Sequence, residues 1–264
     1  ARVWCRAVLN FDVKDGNIRE TDMTLFDESG QVVAHIDRFR VVKITTGQQD
    51  IARWLFEVRW VARPLEPTEA ARRQPGVWLV FTNDADNEPL ADLEGCILVQ
   101  PAQAYRASAD GTRFWINPAS PQDYARLLQE ALPIDRPPCR GIVYQWASNF
   151  TDSETLTPEA LEEAQTLGPI GILYLVQALL AARLTVRPRL WLVTRGVAAI
   201  APDDIPAVAQ GMTWGMARAV VEEQPEMRCT VVDLSAQPSQ AEWSALLAEL
   251  SAGQPEDQVA LRGQ

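Results

Sequence analysis

Tyr174 lies in a predicted helix, Ile170-Gly171-Ile172-Leu173-Tyr174-Leu175-Val176, where a lysine four residues on would make it a proton donor. An ammonium group one helical turn away favours the phenolate and lowers the tyrosine pKa, the device by which an alkoxide is protonated during carbonyl reduction. Ala178 stands at that position, and the two lysines, Lys14 and Lys43, both come far earlier. Tyr174 therefore reads as a core residue. A phosphate cradle fails the same test. Backbone amides approach a pyrophosphate only where glycines spaced G-x-G-x-x-G remove the Cβ atoms, and the chain contains no G-x-G. Where such a loop would follow a buried strand, the sequence reads Trp78-Leu79-Val80-Phe81-Thr82-Asn83-Asp84-Ala85-Asp86-Asn87-Glu88-Pro89, with three carboxylates and no glycine. Negative charge there repels phosphate.

Other constellations are equally thin. The sole histidine, His35, sits mid-strand in Val32-Val33-Ala34-His35-Ile36 with no evident base or metal partner, so it reads as structural. There is no G-x-S-x-G elbow, H-E-x-x-H helix or P-loop. Glu162/Glu163 and Glu222/Glu223 read as solvated helix faces. Trp54, Trp60, Trp78, Trp115, Trp146, Trp191 and Trp214 carry large apolar areas suited to cores or domain contacts. Cys5, Cys96, Cys139 and Cys229 form no C-x-x-C pair and read as buried thiols of a reducing compartment. No residue is assigned a catalytic, cofactor-binding or metal-binding role.

The elements that would have to position any chemistry fall into two textures. From Arg2 to Ile44 the chain reads as antiparallel strands, Arg2 to Leu9, Asp22 to Asp27 and Gln31 to Ile44, the last two joined by a turn at Glu28-Ser29-Gly30. One apolar face of so small a sheet needs cover from elsewhere. After the polar bridge Thr45 to Asp50, strands and helices alternate. Strands are expected at Trp54 to Trp60, Val77 to Thr82, Cys96 to Gln100, Thr112 to Ile116, Gly141 to Trp146, Arg189 to Thr194, Cys229 to Leu234 and Gln258 to Leu261. Helices are expected near Pro89 to Leu93, then at Pro121 to Leu132, Pro158 to Ala182, Pro206 to Glu223 and Ala241 to Leu250. Ser120-Pro121 and Thr157-Pro158 pair an N-cap with a preorganised first helical residue. Glu66 to Pro75 reads as a surface loop. The fold class is α/β, a truncated Rossmann-like, mainly parallel sheet with helices on both faces, preceded by a short antiparallel β segment.

Composition sets the outer limits. At 264 residues and 47% apolar content there is material for one large or two small cores. A net charge of −11 argues against nucleic acid or an anionic membrane as partner. Without a membrane-length apolar run or a secretory signal at its start, the chain is expected to be cytoplasmic.

Four segments carry a family resemblance. Trp54-Leu55-Phe56-Glu57-Val58-Arg59-Trp60 resembles the opening strand of the ketoreductase structural subdomain of modular type I polyketide synthases. Arg189-Leu190-Trp191-Leu192-Val193-Thr194-Arg195-Gly196-Val197 resembles a later strand of that subdomain, Gly211 to Glu226 its late helix, and Cys229 to Leu234 the strand that follows. They occur in the family's order over roughly Ile51 to Gln264. Thr24 to Ile36 looks like the closing hairpin of a dehydratase double hot-dog.

The resemblance implies a dehydratase remnant over residues 1–47 and, over 48–264, a pseudo-ketoreductase half that binds no cofactor and braces a catalytic half. NADPH would belong to that catalytic half. Partners would be the catalytic ketoreductase half, the dehydratase and, in some modules, an inserted enoylreductase of the same polypeptide. Two rivals stand beside it. One is an independent α/β enzyme or transferase whose site uses the loop Trp146 to Thr155 with Arg195; the other is a decayed, free-standing interaction module.

Overall fold

The computed structural model describes residues 4–10, 18–42, 59–63, 76–86, 89–133, 136–150, 153, 156–182, 184, 186–201, 204–252 and 254–263. The chain packs as two units, Ala1–Trp60 and Val61–Gln264. Most of the expected strand Trp54 to Trp60, the bridge Thr45 to Asp50, the loop Glu66 to Pro75 and the division after residue 47 lie outside the described residues.

The first unit is an antiparallel sheet of β1 (Trp4–Asn10), β2 (Ile18–Phe26) and β3 (Val32–Val42) in that order. Its tight turn is built on Asp27, whose Oδ1 accepts from the Ser29 and Gln31 amides and the Ser29 hydroxyl, while Gly30 takes a φ of +83°. Those donors, the Ser29 hydroxyl foremost, hold the Asp27 carboxyl below its ordinary range. Cross-strand pairs set Cys5 against Leu25, Ala7 against Met23, and Met23 against Ile36, so these residues share one face. Cys5 is exposed, contrary to the expectation of a buried thiol, because a three-stranded sheet cannot by itself bury both of its faces.

The second unit is a sheet of eight strands among the described residues, ordered β11-β10-β9-β8-β4-β5-β7-β6. These are β4 (Val77–Phe81), β5 (Cys96–Pro101), β6 (Arg106–Ala107), β7 (Arg113–Ile116), β8 (Cys139–Tyr144), β9 (Arg189–Arg195), β10 (Thr230–Leu234) and β11 (Gln258–Ala260). All pairings are parallel except β6 with β7, a two-residue edge strand that carries no apolar pattern to announce it. Continuous apolar runs such as Val77–Phe81 are buried at every position because helices or loops cover both faces.

One face is covered by α1 (Pro121–Ala131), α3 (Gly171–Ala181) and α4 (Gly211–Glu223), which bury Tyr124, Leu127, Ile172, Leu175 and Val220 against Leu79, Phe81 and Ile142. The other face is covered by α5 (Gln240–Ala252) and by Ala85 and Leu90 from the connection between β4 and β5. A helix near Pro89 to Leu93 does not form. That stretch is a series of turns, with Leu93 N donating to Leu90 O and Cys96 N to Leu93 O. So few residues cannot offset the cost of nucleation before Gly95 turns the chain at φ +72°. A Cβ at Gly95 would stand 2.7 Å from the Gly76 carbonyl oxygen.

The expected helix Pro158 to Ala182 is interrupted. Helix α2 (Pro158–Gln165) passes through a wide turn, Thr166–Ile170, into α3. Pro169 lacks an N–H and its ring excludes the carbonyl four residues back, so Gly168 leaves helical geometry at φ −99°, ψ −108°. Tyr144 Oη donates to the Leu167 carbonyl at 2.8 Å. The run Pro158–Ala181 is long and apolar enough to cross a membrane by composition, yet Ile172, Leu175 and Leu179 face the core, so it packs as an internal helix of this sheet. The expected helix Pro206 to Glu223 starts later, at Gly211, after a short 3-10 turn over Val208–Gln210.

Helix α5 opens with a capping box. Ser239 Oγ accepts from the Glu242 amide at 3.3 Å, and Glu242 Oε2 accepts from the Ser239 amide at 2.7 Å and the Ser235 hydroxyl at 2.8 Å. Burial pushes the Glu242 carboxyl up, but the donors from Ser239 and Ser235 outweigh it, and the group titrates below its ordinary range. A carboxyl depressed on folding stabilises above its unfolded pKa and loses that contribution as pH falls through the folded value. Ser239→Ala is therefore expected to cost about 1 kcal/mol near neutral pH. In urea titrations this deficit should shrink in acid, below the usual glutamate range.

Candidate functional site

In an open α/β sheet a ligand sits outside the carboxyl ends of the strands, where the winding reverses. Here that point lies between β4 and β8, from which successive strands run outward in opposite directions. The loop after β4 begins Thr82-Asn83-Asp84-Ala85-Asp86, and Asp86 Oδ1 pairs with Arg113 Nη1 at 3.2 Å. The loop after β8 is a 3-10 turn, Trp146–Asn149.

Trp146 packs into the core at this edge of the sheet. It is fully buried, and its Nε1 donates to Thr82 O at 3.2 Å and Val99 O at 3.1 Å, so the indole bridges the carboxyl ends of β4 and β5. Its ring meets Phe81 edge-on at 5.1 Å and Tyr144 at 5.4 Å, and its carbonyl accepts from Asn83 Nδ2 at 2.6 Å. Sequence reading placed Trp146 in a core or contact without finding this position. Beside it opens a cavity of about 720 Å³, whose walls include Asn83, Asn117, Phe150 and Leu167.

Further along the same edge, Asp233 is a carboxylate with no solvent exposure. Its oxygens accept from Thr194 Oγ1 at 2.6 Å, from the Val197 amide at 3.1 Å, from the Ala198 amide at 3.0 Å and from Arg262 Nη2 at 2.6 Å. Trp214 Nε1 in turn donates to Thr194 Oγ1 at 3.0 Å. Gln210, also without exposure, accepts from the Arg195 amide and donates to the Phe150 and Arg195 carbonyls. These groups pin loops to one another and are saturated by doing so. Sequence reading missed Asp233, although a carboxylate within the buried run Thr230 to Leu234 must find partners.

The phenols here are poor proton donors. Burial pushes the Tyr144 and Tyr124 pKa values up, the reverse of what acid–base catalysis needs. Burial likewise pushes the Cys139 and Cys229 thiols up to about 12, so neither is a thiolate nucleophile. Tyr174 packs its ring against Tyr124 at 6.1 Å, consistent with core packing. Glu162, Glu163, Glu222 and Glu223 lie exposed on helices, as expected. Arg195 holds its guanidinium 5.3 Å from the Trp243 ring, and Asp152 and Glu154 of the loop proposed to converge with it lie outside the described residues. His35 does have a carboxylate partner, Asp37, at 2.9 Å, and Thr24 Oγ1 at 2.9 Å. The i, i+2 spacing that sets His35 and Asp37 on one strand face was the signal for that exposed pair. Among the described residues no three side chains group as metal ligands.

The family model described as polyketide synthase extender module SpnB, Rossmann fold domain, matches residues 58–264. The chain belongs to that family. Among curated relatives, the chain is 28% identical over 243 residues to a phenolphthiocerol/phthiocerol polyketide synthase of Mycobacterium tuberculosis, covering 91% of this chain and 10% of the relative. It spans about a tenth of the length of that protein. Among solved structures it is similar to a C2-type ketoreductase from a modular polyketide synthase, at 29% identity and TM-score 0.53, covering 71% of this chain and 37% of the other. A multidomain structure with adenylation, ketoreductase and pseudo Asub parts, from a keto acid-selecting NRPS module, matches at 25% identity and TM-score 0.64, covering 77% of this chain and 17% of the other. The SpnB-type domain thus has a ketoreductase-like Rossmann fold, and its relatives are parts of large multidomain polypeptides.

Proposed function

We propose that residues 48–264 are the non-catalytic structural half of a polyketide synthase ketoreductase, bracing an NADPH-binding catalytic half elsewhere in the same cytoplasmic polypeptide. Residues 1–47 are then the closing strands of a dehydratase, and an enoylreductase is a further neighbour in modules that carry one. The observation that carries this reading is the loop after β4, which at the winding-reversal point offers Asn83, Asp84 and Asp86 in place of glycines.

Surface character supports a bracing role. Leu173 and Leu180 of α3 are 39% and 38% exposed, and on α4 nothing lies within 4 Å of a Cβ built at Gly211 or Gly215. Exposed apolar and small residues on adjacent helices let a second α/β layer approach closely. In the first unit Trp4, Val8, Val32 and Phe39 are similarly exposed, as befits a sheet that completes a larger β fold.

The test is calorimetric titration of the chain with NADPH. No binding of micromolar affinity is expected; a micromolar dissociation constant would place the cofactor in this half and end the proposal.

A further inference from the structure

A second cavity opens at the other end of the sheet. At the amino ends of β9 and β10, away from the winding-reversal point, Arg189 and Arg228 line a space of about 350 Å³ together with Thr230 and Asp257. That volume is at the small end for ligand sites, so both arginines border the same guest. The chain as a whole carries a charge of −11, and this local reversal of sign is not a by-product of a basic composition.

Arg189 is 7% exposed. Its Nη2 donates to Thr230 Oγ1 at 2.8 Å and to the Gln254 carbonyl at 2.6 Å, and its guanidinium lies 4.0 Å from the centre of the Trp191 ring. Those contacts fix the group without saturating it. Nε is buried with no partner, and Nη1, which also donates to nothing among the described residues, is left at the accessible end. Arg228 enters from the turn before β10 at φ +44°, the one non-glycine residue with positive φ among the described residues. A Cβ is strained there, so glycine would suit the backbone better and what arginine adds is its side chain. That side chain belongs to an exposed residue and has no hydrogen-bond or ion-pair partner among the described residues. Burial and then the charge of Arg228 push the Arg189 guanidinium below its ordinary range, against the pull of Glu249. Glu249 is a weak counterion, since burial pushes its own carboxyl up. Asp257, an exposed residue, is the one carboxylate among the described residues of the lining. Two cations held around one cavity with so little compensation are unfavourable until an anion joins them.

We infer that this pocket binds a phosphate group, either free or as the head of a small monoester. A carboxylate is matched best by two parallel N–H groups on one edge of a guanidinium, and in Arg189 the Nη2 member of either such edge is already committed. A tetrahedral anion instead accepts single bonds from donors on separate residues, here Arg189 Nη1 and the Arg228 guanidinium, and its double charge answers both cations.

The test is a phosphorus NMR titration of the 264-residue chain with inorganic phosphate and with n-propyl phosphate, and a calorimetric titration with acetate, all in chloride-poor buffer. Saturable phosphate binding with a dissociation constant of about 1–10 mM is expected, with acetate at least about fivefold weaker. Arg228→Gly should weaken phosphate at least about tenfold through loss of a charge-assisted hydrogen bond, with no loss of thermal stability because glycine takes φ +44° freely. Asp257→Asn, at a second exposed position, should tighten phosphate about threefold by removing a like charge, and reads the site even if Arg228→Gly melts early. Propyl phosphate bound as tightly as phosphate supports the site and makes an ester its ligand; exclusion of the ester supports it with free phosphate as the ligand. Absence of saturable phosphate binding, binding indifferent to both variants, or acetate bound as tightly as phosphate overturns the inference. None of these three results touches the bracing role.

Discussion

Replacing Trp146 with alanine should lower the folding free energy of the second unit by about 3–5 kcal/mol, the usual cost of deleting a buried tryptophan. Three losses combine. The indole has no solvent exposure, so its removal leaves a cavity among Phe81, Tyr124 and Tyr144. The Thr82 carbonyl loses its donor, whereas Val99 O keeps the Thr82 amide at 2.9 Å. The aromatic pairings go as well, each worth about 0.5–1.5 kcal/mol beyond area. Trp146→Phe separates these terms: it refills most of the volume but leaves Thr82 O unpaired, and should cost about 1–3 kcal/mol. Urea denaturation followed by tyrosine and tryptophan fluorescence reads both, with the midpoint falling and the slope unchanged. A loss under about 1 kcal/mol for the alanine variant would mean that the indole does not hold the strand ends together.

Asp233→Ala is expected to destabilise by a similar amount, about 3–5 kcal/mol, for a different reason. The change strands the Arg262 guanidinium, the Thr194 hydroxyl and the amides of Val197 and Ala198, all of which converge on one carboxylate. Arg262 also donates to the carbonyls of Asp233 and Ala198, so it stays anchored nearby with its charge uncompensated. Removing both partners is milder than removing one, because no buried charge is left alone. Asp233→Ala combined with Arg262→Met should therefore cost less than the sum of the two single variants. A double-mutant cycle in urea should give a coupling of about 1–3 kcal/mol, and simple additivity would refute the pairing.

What the sequence discloses follows from the range of the interactions involved. Strands β4, β9 and β10 were legible because burial on both faces forces unbroken apolar runs, and α1 and α2 because Ser120-Pro121 and Thr157-Pro158 cap them locally. The Ser239 to Glu242 capping box is equally local and was open to the same reading. The fold class followed from the alternation of those elements. The edge strand β6 was hidden because two exposed residues carry no period, and the break at Gly168–Pro169 because the helical pattern resumes on its far side. The site resisted for a further reason. Trp146 and Thr82 are 64 residues apart, and Asp233 meets Ala198 across 35, so no spacing in the chain advertises either meeting. Only the missing glycine loop could be read directly, since a phosphate cradle is contiguous.

The wide turn at Thr166–Ile170 has a consequence for aligning and editing these domains. A helix advances about 100° per residue, so removing one residue there would swing the whole of α3 round its own axis by that angle. Leu175 would move to the half-buried place of Tyr174, and Gln177 and Leu180 would be driven into the buried places of Val176 and Leu179. A one-position gap in an alignment, harmless in most loops, is here a change of phase that mislabels residues such as Gln177 and Leu180 as inward.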